Sequence, residues 1–284
     1  MLVRALIVTA TAFVAMSVTS TATSTAQAQV VDFSKYPDFS GQWKRPDGIG
    51  IQWDQSKPLG KQQAPLTPEY QARYEANLAD QALGGQGDDK TGQCIPHGMP
   101  RVMTVVYPME IIIMPKTTYI LTDYTVPRRI FTDGRDWPKE VEPQFNGLSI
   151  GKWVDPDASG RFSTLEVETR GFKGPRTYEA SGIRLHDDGE TVIKERIYLD
   201  KSKKDTLIDE ITTIDHALTR PWTVTKRYVR ETSPIMWHFN DCAENNQHVF
   251  IGNDSYFVTA DGYLMPVKKG QKPPDLRYFE QTQK

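Results

Sequence analysis

The chain has 284 residues, 38% hydrophobic and 25% charged, ordinary proportions for a soluble protein that can bury a sizeable core as one large domain or two small ones. With 34 basic and 36 acidic side chains its formal charge is -2, so it has no single-sign field to gather nucleic acid or an anionic membrane surface, and neither is expected as a partner. No stretch reaches the roughly 20 apolar residues needed to cross a bilayer as a helix.

Residues 1–28 read as a secretory signal peptide, with Arg4 at the positive start, an apolar core from Ala5 to Val18 and a small-residue cleavage pattern at Ala26-Gln27-Ala28. A periplasmic or secreted protein is therefore expected. Residues 29–92 read as an extended N-terminal arm followed by one helix. Thr67 at the N-cap, Pro68 at the first position and Glu69 in the first turn open the helix, and Gly84-Gly85 follow its end. Tyr70, Tyr74, Leu78 and Ala82 fall on one stripe, expected to pack on a sheet.

Only two cysteines are present, Cys94 and Cys242. In an oxidising compartment their pairing is the simplest arithmetic, and the alternative is a reactive thiolate near His97, His238 or His248. Residues 93–284 read as a β domain with an irregular tail after Pro234. Between 103 and 138, runs of isoleucine, valine, threonine and tyrosine favour strands, while Pro108, Pro115 and Pro127 allow no helix interior. A hairpin turning at 157–160 follows, then a turn signal at 186–190, then three alternating segments at 191–200, 205–215 and 221–231. About eight to ten strands at this spacing predict a mainly β, antiparallel, closed or nearly closed barrel.

Side chains in a strand alternate between faces. On that rule Glu195 shares a row with Ile193 and Ile197, Lys226 with Trp222, Val224 and Tyr228, Glu210 with Ile208, Thr212 and Ile214, and Arg128 with Val126 and Ile130. Unpaired charges in a core cost several kcal/mol each, about the range that forces mutual pairing or a wet cavity. These four groups either line a pocket or form a structural ion-pair network, and a one-residue bulge would reverse any of the faces. If they line a pocket, Glu195 moves a proton while Arg128 and Lys226 stabilise developing negative charge, and Arg129, Glu210, Trp222 and Tyr228 line the ligand site.

The five histidines match no standard metal-ligand spacing, and there is no nucleophile elbow, phosphate loop or dinucleotide fingerprint, so neither metal nor cofactor is expected. Asp133-Gly134-Arg135 reads first as a turn, with a substrate clamp as the alternative.

Several short elements occur together: Asp38-x-Ser40-Gly41-x-Trp43, Leu66-Thr67-Pro68, Cys94-x-Pro96-x-Gly98-x-Pro100, Arg128-Arg129-Ile130 with Asp133-Gly134-Arg135, Ser149-Ile150-Gly151-x-Trp153, Glu195-Arg196, Pro221-Trp222 and Cys242-x-Glu244-x-Asn246. In these the chain resembles a family of uncharacterised secreted bacterial proteins over most of residues 29–284. The resemblance implies a shared β-rich, lipocalin-like fold and carries no activity. The chain departs from the family pattern at Leu148, where a histidine is usual, and at His216, where a proline usually follows the acid. The expected function is the binding of a small, partly apolar organic molecule in the barrel. The alternatives are a cofactor-independent isomerase or lyase on the same scaffold, and a structural or interaction protein without a pocket.

Overall fold

The computed structural model describes residues 31–46, 63–103, 108–122, 125–233, 242, 246–252 and 254–275. The expected signal peptide and most of the segment around His238 lie outside them.

Nine strands close into a barrel whose spatial order follows the chain: β1 (Gln42–Lys44), β2 (Met109–Ile113), β3 (Thr117–Thr122), β4 (Thr125–Phe131), β5 (Leu148–Val154), β6 (Thr164–Arg170), β7 (Val192–Leu199), β8 (Thr206–Ile214) and β9 (Trp222–Arg230). The N-terminal arm is part of this barrel. Its strand β1 pairs with β2 through Trp43 and Met109 and with β9 through Trp43 and Arg230, so the sheet has no free edge at the seam. The Trp43 ring is fully buried, its indole N–H donates to the Phe39 carbonyl at 3.0 Å, and the Arg230 guanidinium lies over it at 4.4 Å.

The barrel is mixed, where an antiparallel one was expected. Strands β4 and β5 run parallel, pairing Ile130 with Ser149 and Phe131 with Ile150. The connection 132–147 is the physical reason: it is long enough to carry the chain back to the end where β4 began, which a tight hairpin cannot do. Pro127 sits in the part of β4 that β5 does not pair, where its missing N–H breaks no ladder bond on that side.

Alternation fills the interior with Met109, Ile111, Ile120, Ile130, Leu165, Val167, Ile193, Ile197, Leu207, Ile211 and Val224, all buried. Met99, Val102 and Met103 from the segment before β2 join the same cluster, as do Tyr178 and Ile183 from the connection between β6 and β7. Tyr178 stacks on Trp222 with ring centroids 4.5 Å apart, and this connection folds on itself through the Tyr178 N–H to Ile183 carbonyl bond at 2.7 Å.

The helix α1 (Pro68–Ala82) has the expected Thr67 cap, whose hydroxyl accepts from the Tyr70 N–H. Its buried stripe differs from the expected one. Tyr70 and Asn77 are the buried residues and Leu78 is exposed, because the helix docks on the polar connection 177–186 and not on a sheet face. Asn77 serves both sides of that contact, donating to the Ser181 carbonyl and accepting from the Asp88 N–H at 2.6 Å.

Beyond β9 the chain forms a three-stranded meander, β10 (His248–Ile251), β11 (Asp254–Val258) and β12 (Leu264–Pro266), where an irregular tail was expected. Cys94 and Cys242 are bridged, with Cα atoms 5.6 Å apart, and the Lys268 ammonium reaches Asp80 of α1 at 2.7 Å. These two links tie the C-terminal segment to the helix side of the molecule.

Candidate functional site

The charged row predicted for the barrel interior is there, with one exchange of membership. Arg128 projects inward from β4, where it pairs with Ile120, and Glu195 projects inward from β7 between Val167 and Ile211. Each is 2% exposed. The guanidinium grips the carboxylate with both arms, Nη1 donating to Oε1 at 2.8 Å and Nη2 to Oε2. Nη2 also donates to the Thr169 hydroxyl at 3.1 Å, and the Ser149 hydroxyl completes the ring at 2.9 Å from Thr169. A forked pair of this kind is directional and nearly saturates the arginine.

The second inward acid is Asp209, not Glu210. The strand 206–214 is apolar on both of its rows, so alternation alone does not choose between them. Pairing with β9 decides: Asp209 stands opposite Lys226, which Trp222, Val224 and Tyr228 already hold on the inner face. Glu210 consequently faces out, accepting from Arg196 at 3.1 Å and from the Tyr198 hydroxyl at 3.0 Å. Arg129 faces out as well, since it neighbours the inward Arg128. Its guanidinium lies 5.5 Å from the Tyr119 ring centroid and 6.0 Å from that of Phe131. Trp222 and Tyr228 are interior as expected, the first against Tyr178 and the second donating its hydroxyl to the Met103 carbonyl.

Asp209 is completely buried, and neither carboxylate oxygen accepts a hydrogen bond from the described residues. The hydroxyls of Thr118, Thr122 and Thr213, which also face inward, have no partner among the described residues either. Native interiors pair nearly all such atoms, so four residues with idle polar atoms in one barrel form a distinctive polar lining within apolar walls. Burial holds the Asp209 carboxyl well above its ordinary range, and the negative charge of Glu195 adds to the effect; Arg128 and Lys226 oppose it without prevailing.

This has a pH consequence. A carboxyl whose folded pKa is raised contributes most to stability below its unfolded value, near 3.8, and that contribution is lost as the pH rises through the folded value. Asp209→Asn removes the titration. Its stability relative to the parent is therefore expected to grow as the pH rises from about 4 toward neutrality. Urea unfolding midpoints of the two proteins across that interval measure the difference, and a constant offset would contradict the buried, raised carboxyl.

A depression of about 650 Å³ lies on the outer face of β5 to β8 and includes Lys152, Glu166, Glu168, Lys194, Arg196 and Glu210. Its side chains are ion-paired with each other, Lys152 with Glu166 at 3.1 Å and Lys194 with Glu168 at 3.5 Å, in the manner of a solvated sheet face. Asp133 and Arg135 of the 133–135 turn pair locally and are exposed, with Gly134 at φ +76° supplying the left-handed step.

Sequence analysis also gave the histidines no site. The structure brings His186, Asp188 and His216 together, one ligand atom from each lying within 4.8 Å of the others. The three come from the turn before β7 and the turn after β8, which the pairing of Val192 with Ile214 sets side by side. His97 is a different case: half-buried beside Arg101, it is pushed down to about 4, chiefly by burial, and stands neutral.

The chain matches no family model, and no curated protein or solved structure matches it.

Proposed function

We propose that the barrel interior binds a small, partly apolar organic molecule whose hydrogen-bonding head meets Asp209, Thr118, Thr122 and Thr213, while its apolar part lies against the aliphatic side chains around them. The observation that carries this is the fully buried Asp209 carboxyl with no hydrogen bond from the described residues. Idle buried oxygens cost free energy, and a ligand with matching donors recovers it. The fold supports the same conclusion, since small closed barrels hold one small ligand and the lipocalin-like arrangement is of this kind. The bridge between Cys94 and Cys242 supports a periplasmic or secreted setting.

The Arg128 and Glu195 pair serves the scaffold in this proposal. Both oxygens of Glu195 accept from Arg128, so Glu195 could act on a substrate only by giving up a buried ion pair. A second function, proton transfer in a cofactor-independent isomerase or lyase, is favoured by one observation: Asp209 is a carboxyl held well above its ordinary range. Such a group can give or take a proton near neutral pH. In that case Asp209 takes the role that the sequence suggested for Glu195, with Lys226 opposite it.

Native and denaturing mass spectrometry of the mature protein, purified without refolding, tests the binding proposal. A small molecule retained in the native spectrum, released on denaturation and lost in Asp209→Ala supports it. A ligand-free parent protein that also takes up no compound from a library of small amphipathic molecules overturns it. Given a ligand, turnover abolished in Asp209→Asn with affinity preserved separates the enzyme from the carrier.

A further inference from the structure

The cluster of His186, Asp188 and His216 stands outside the barrel interior and is independent of the ligand proposed there. Its assembly follows from the fold. Val192 at the start of β7 pairs with Ile214 at the end of β8, so the turns 186–190 and 215–217 leave the sheet as neighbours although His216 is 28 residues from Asp188 in sequence. Asp215 locks them to each other. Its Oδ1 accepts from the His186 N–H at 3.0 Å and from the Ala217 N–H at 2.8 Å, and its Oδ2 accepts from the Thr191 hydroxyl at 2.6 Å.

Two imidazole nitrogens then converge on one carboxylate oxygen. Asp188 Oδ2 lies 2.9 Å from His186 Nδ1 and is hydrogen-bonded to His216 Nδ1. The His186 nitrogen also lies 3.2 Å from the Asp188 backbone N–H, from which it accepts. Unprotonated, His186 Nδ1 has a single lone pair, which the Asp188 N–H occupies in this geometry; a cation held by Nδ1 and the carboxylate oxygen 2.9 Å away takes the place of that hydrogen bond, and a proton or a metal ion can fill that role. The far nitrogen of His216, Nε2, is 4.0 Å from the Glu190 carboxylate. That is beyond hydrogen-bond length and leaves only a charge attraction between the two groups.

We propose that His186, Asp188 and His216 form a binding site for one divalent first-row transition ion, with Asp215 fixing the two turns that carry it. Two imidazoles and a carboxylate suit zinc, iron, cobalt, nickel or copper, and do not suit magnesium or calcium, which take oxygen ligands. Tetrahedral or octahedral coordination at about 2.0–2.2 Å needs ligand atoms roughly 3 Å apart, against a present spread of up to 4.8 Å, so binding draws the rings together. Three protein ligands leave positions for water or a small anion. The His216 side chain is 64% exposed, so the ion reaches the site from solution without disturbing the core.

The test uses the whole mature protein without a histidine tag, stripped by chelation. Titration with cobalt(II), followed by its visible ligand-field bands and by zinc displacement, is expected to show one saturable equivalent, while magnesium and calcium displace nothing. His216→Ala and Asp188→Asn should each bind at least about tenfold more weakly. His248→Ala, on the separate meander, should bind as the parent does. His216 is largely exposed, so circular dichroism of His216→Ala should match the parent and keep loss of binding distinct from loss of fold. Absence of a stoichiometric equivalent in the parent, or parental affinity in His216→Ala and Asp188→Asn, overturns the site.

Discussion

Replacing Arg128 by methionine is expected to cost the fold about 3 to 5 kcal/mol, the range for removing one member of a buried ion pair. The deletion leaves the Glu195 carboxylate without its forked partner, in an interior that already holds Asp209. Most of the cost is the stranded charge, not the lost attraction. The double variant Arg128→Met, Glu195→Leu is therefore expected to recover most of the loss, because well-packed apolar replacements for a buried pair are often neutral or stabilising. Ser149 and Thr169 still bond to each other in that variant. Urea midpoints at unchanged slope measure both changes. A single variant within about 1 kcal/mol of the parent would mean the pair is solvated, as exposed ion pairs are worth no more than that.

Removing the disulfide as Cys94→Ser, Cys242→Ser is expected to lower stability by about 4 to 5 kcal/mol on the chain-entropy account. The effect is large because of what the bridge encloses. Its sequence separation is 148 residues, and strands β2 to β9 lie entirely within the loop. The cross-link therefore restricts the unfolded ensemble of nearly the whole barrel. Denaturant unfolding of the oxidised parent against the double serine variant measures it. A loss below about 1 kcal/mol would show that the unfolded chain is already compact without the link.

What could be read from the residues was mostly local. Thr67, Pro68 and Glu69 define a helix start without help from the rest of the chain, and the structure has Pro68 as the first helical residue. Strand alternation placed Arg128, Glu195 and Lys226 inside because each shares its row with residues of the opposite chemistry, and all three are buried. Alternation failed at 206–214, where Leu207, Asp209, Ile211 and Thr213 form as plausible an inner row as Ile208, Glu210, Thr212 and Ile214. Only the partner strand separates them, through Asp209 opposite Lys226. The helix stripe was misread for a related reason. Asn77 is buried by hydrogen bonds to a connection, and a hydrophobicity count sees only Leu78. The histidine cluster and the parallel pair β4 to β5 are products of register and connection length across distant segments, which no spacing within one segment reports.

Closure of the barrel by β1 sets an order of events for a chain made from its N-terminus. The closing strand β1 is made before the other eight, and its two neighbours are β2 and β9. Arg230, which packs over Trp43 and donates to the carbonyls of Ser40 and Asp38, is 190 residues downstream of Ser40. Until that length has emerged, β1 has no β9 to pair with, and the indole of Trp43 lacks the arginine that covers it. Contacts of such separation are slow to form because the intervening chain must first be brought together. The barrel cannot close before β9 has been made, which leaves Trp43 among the last core side chains to be sealed.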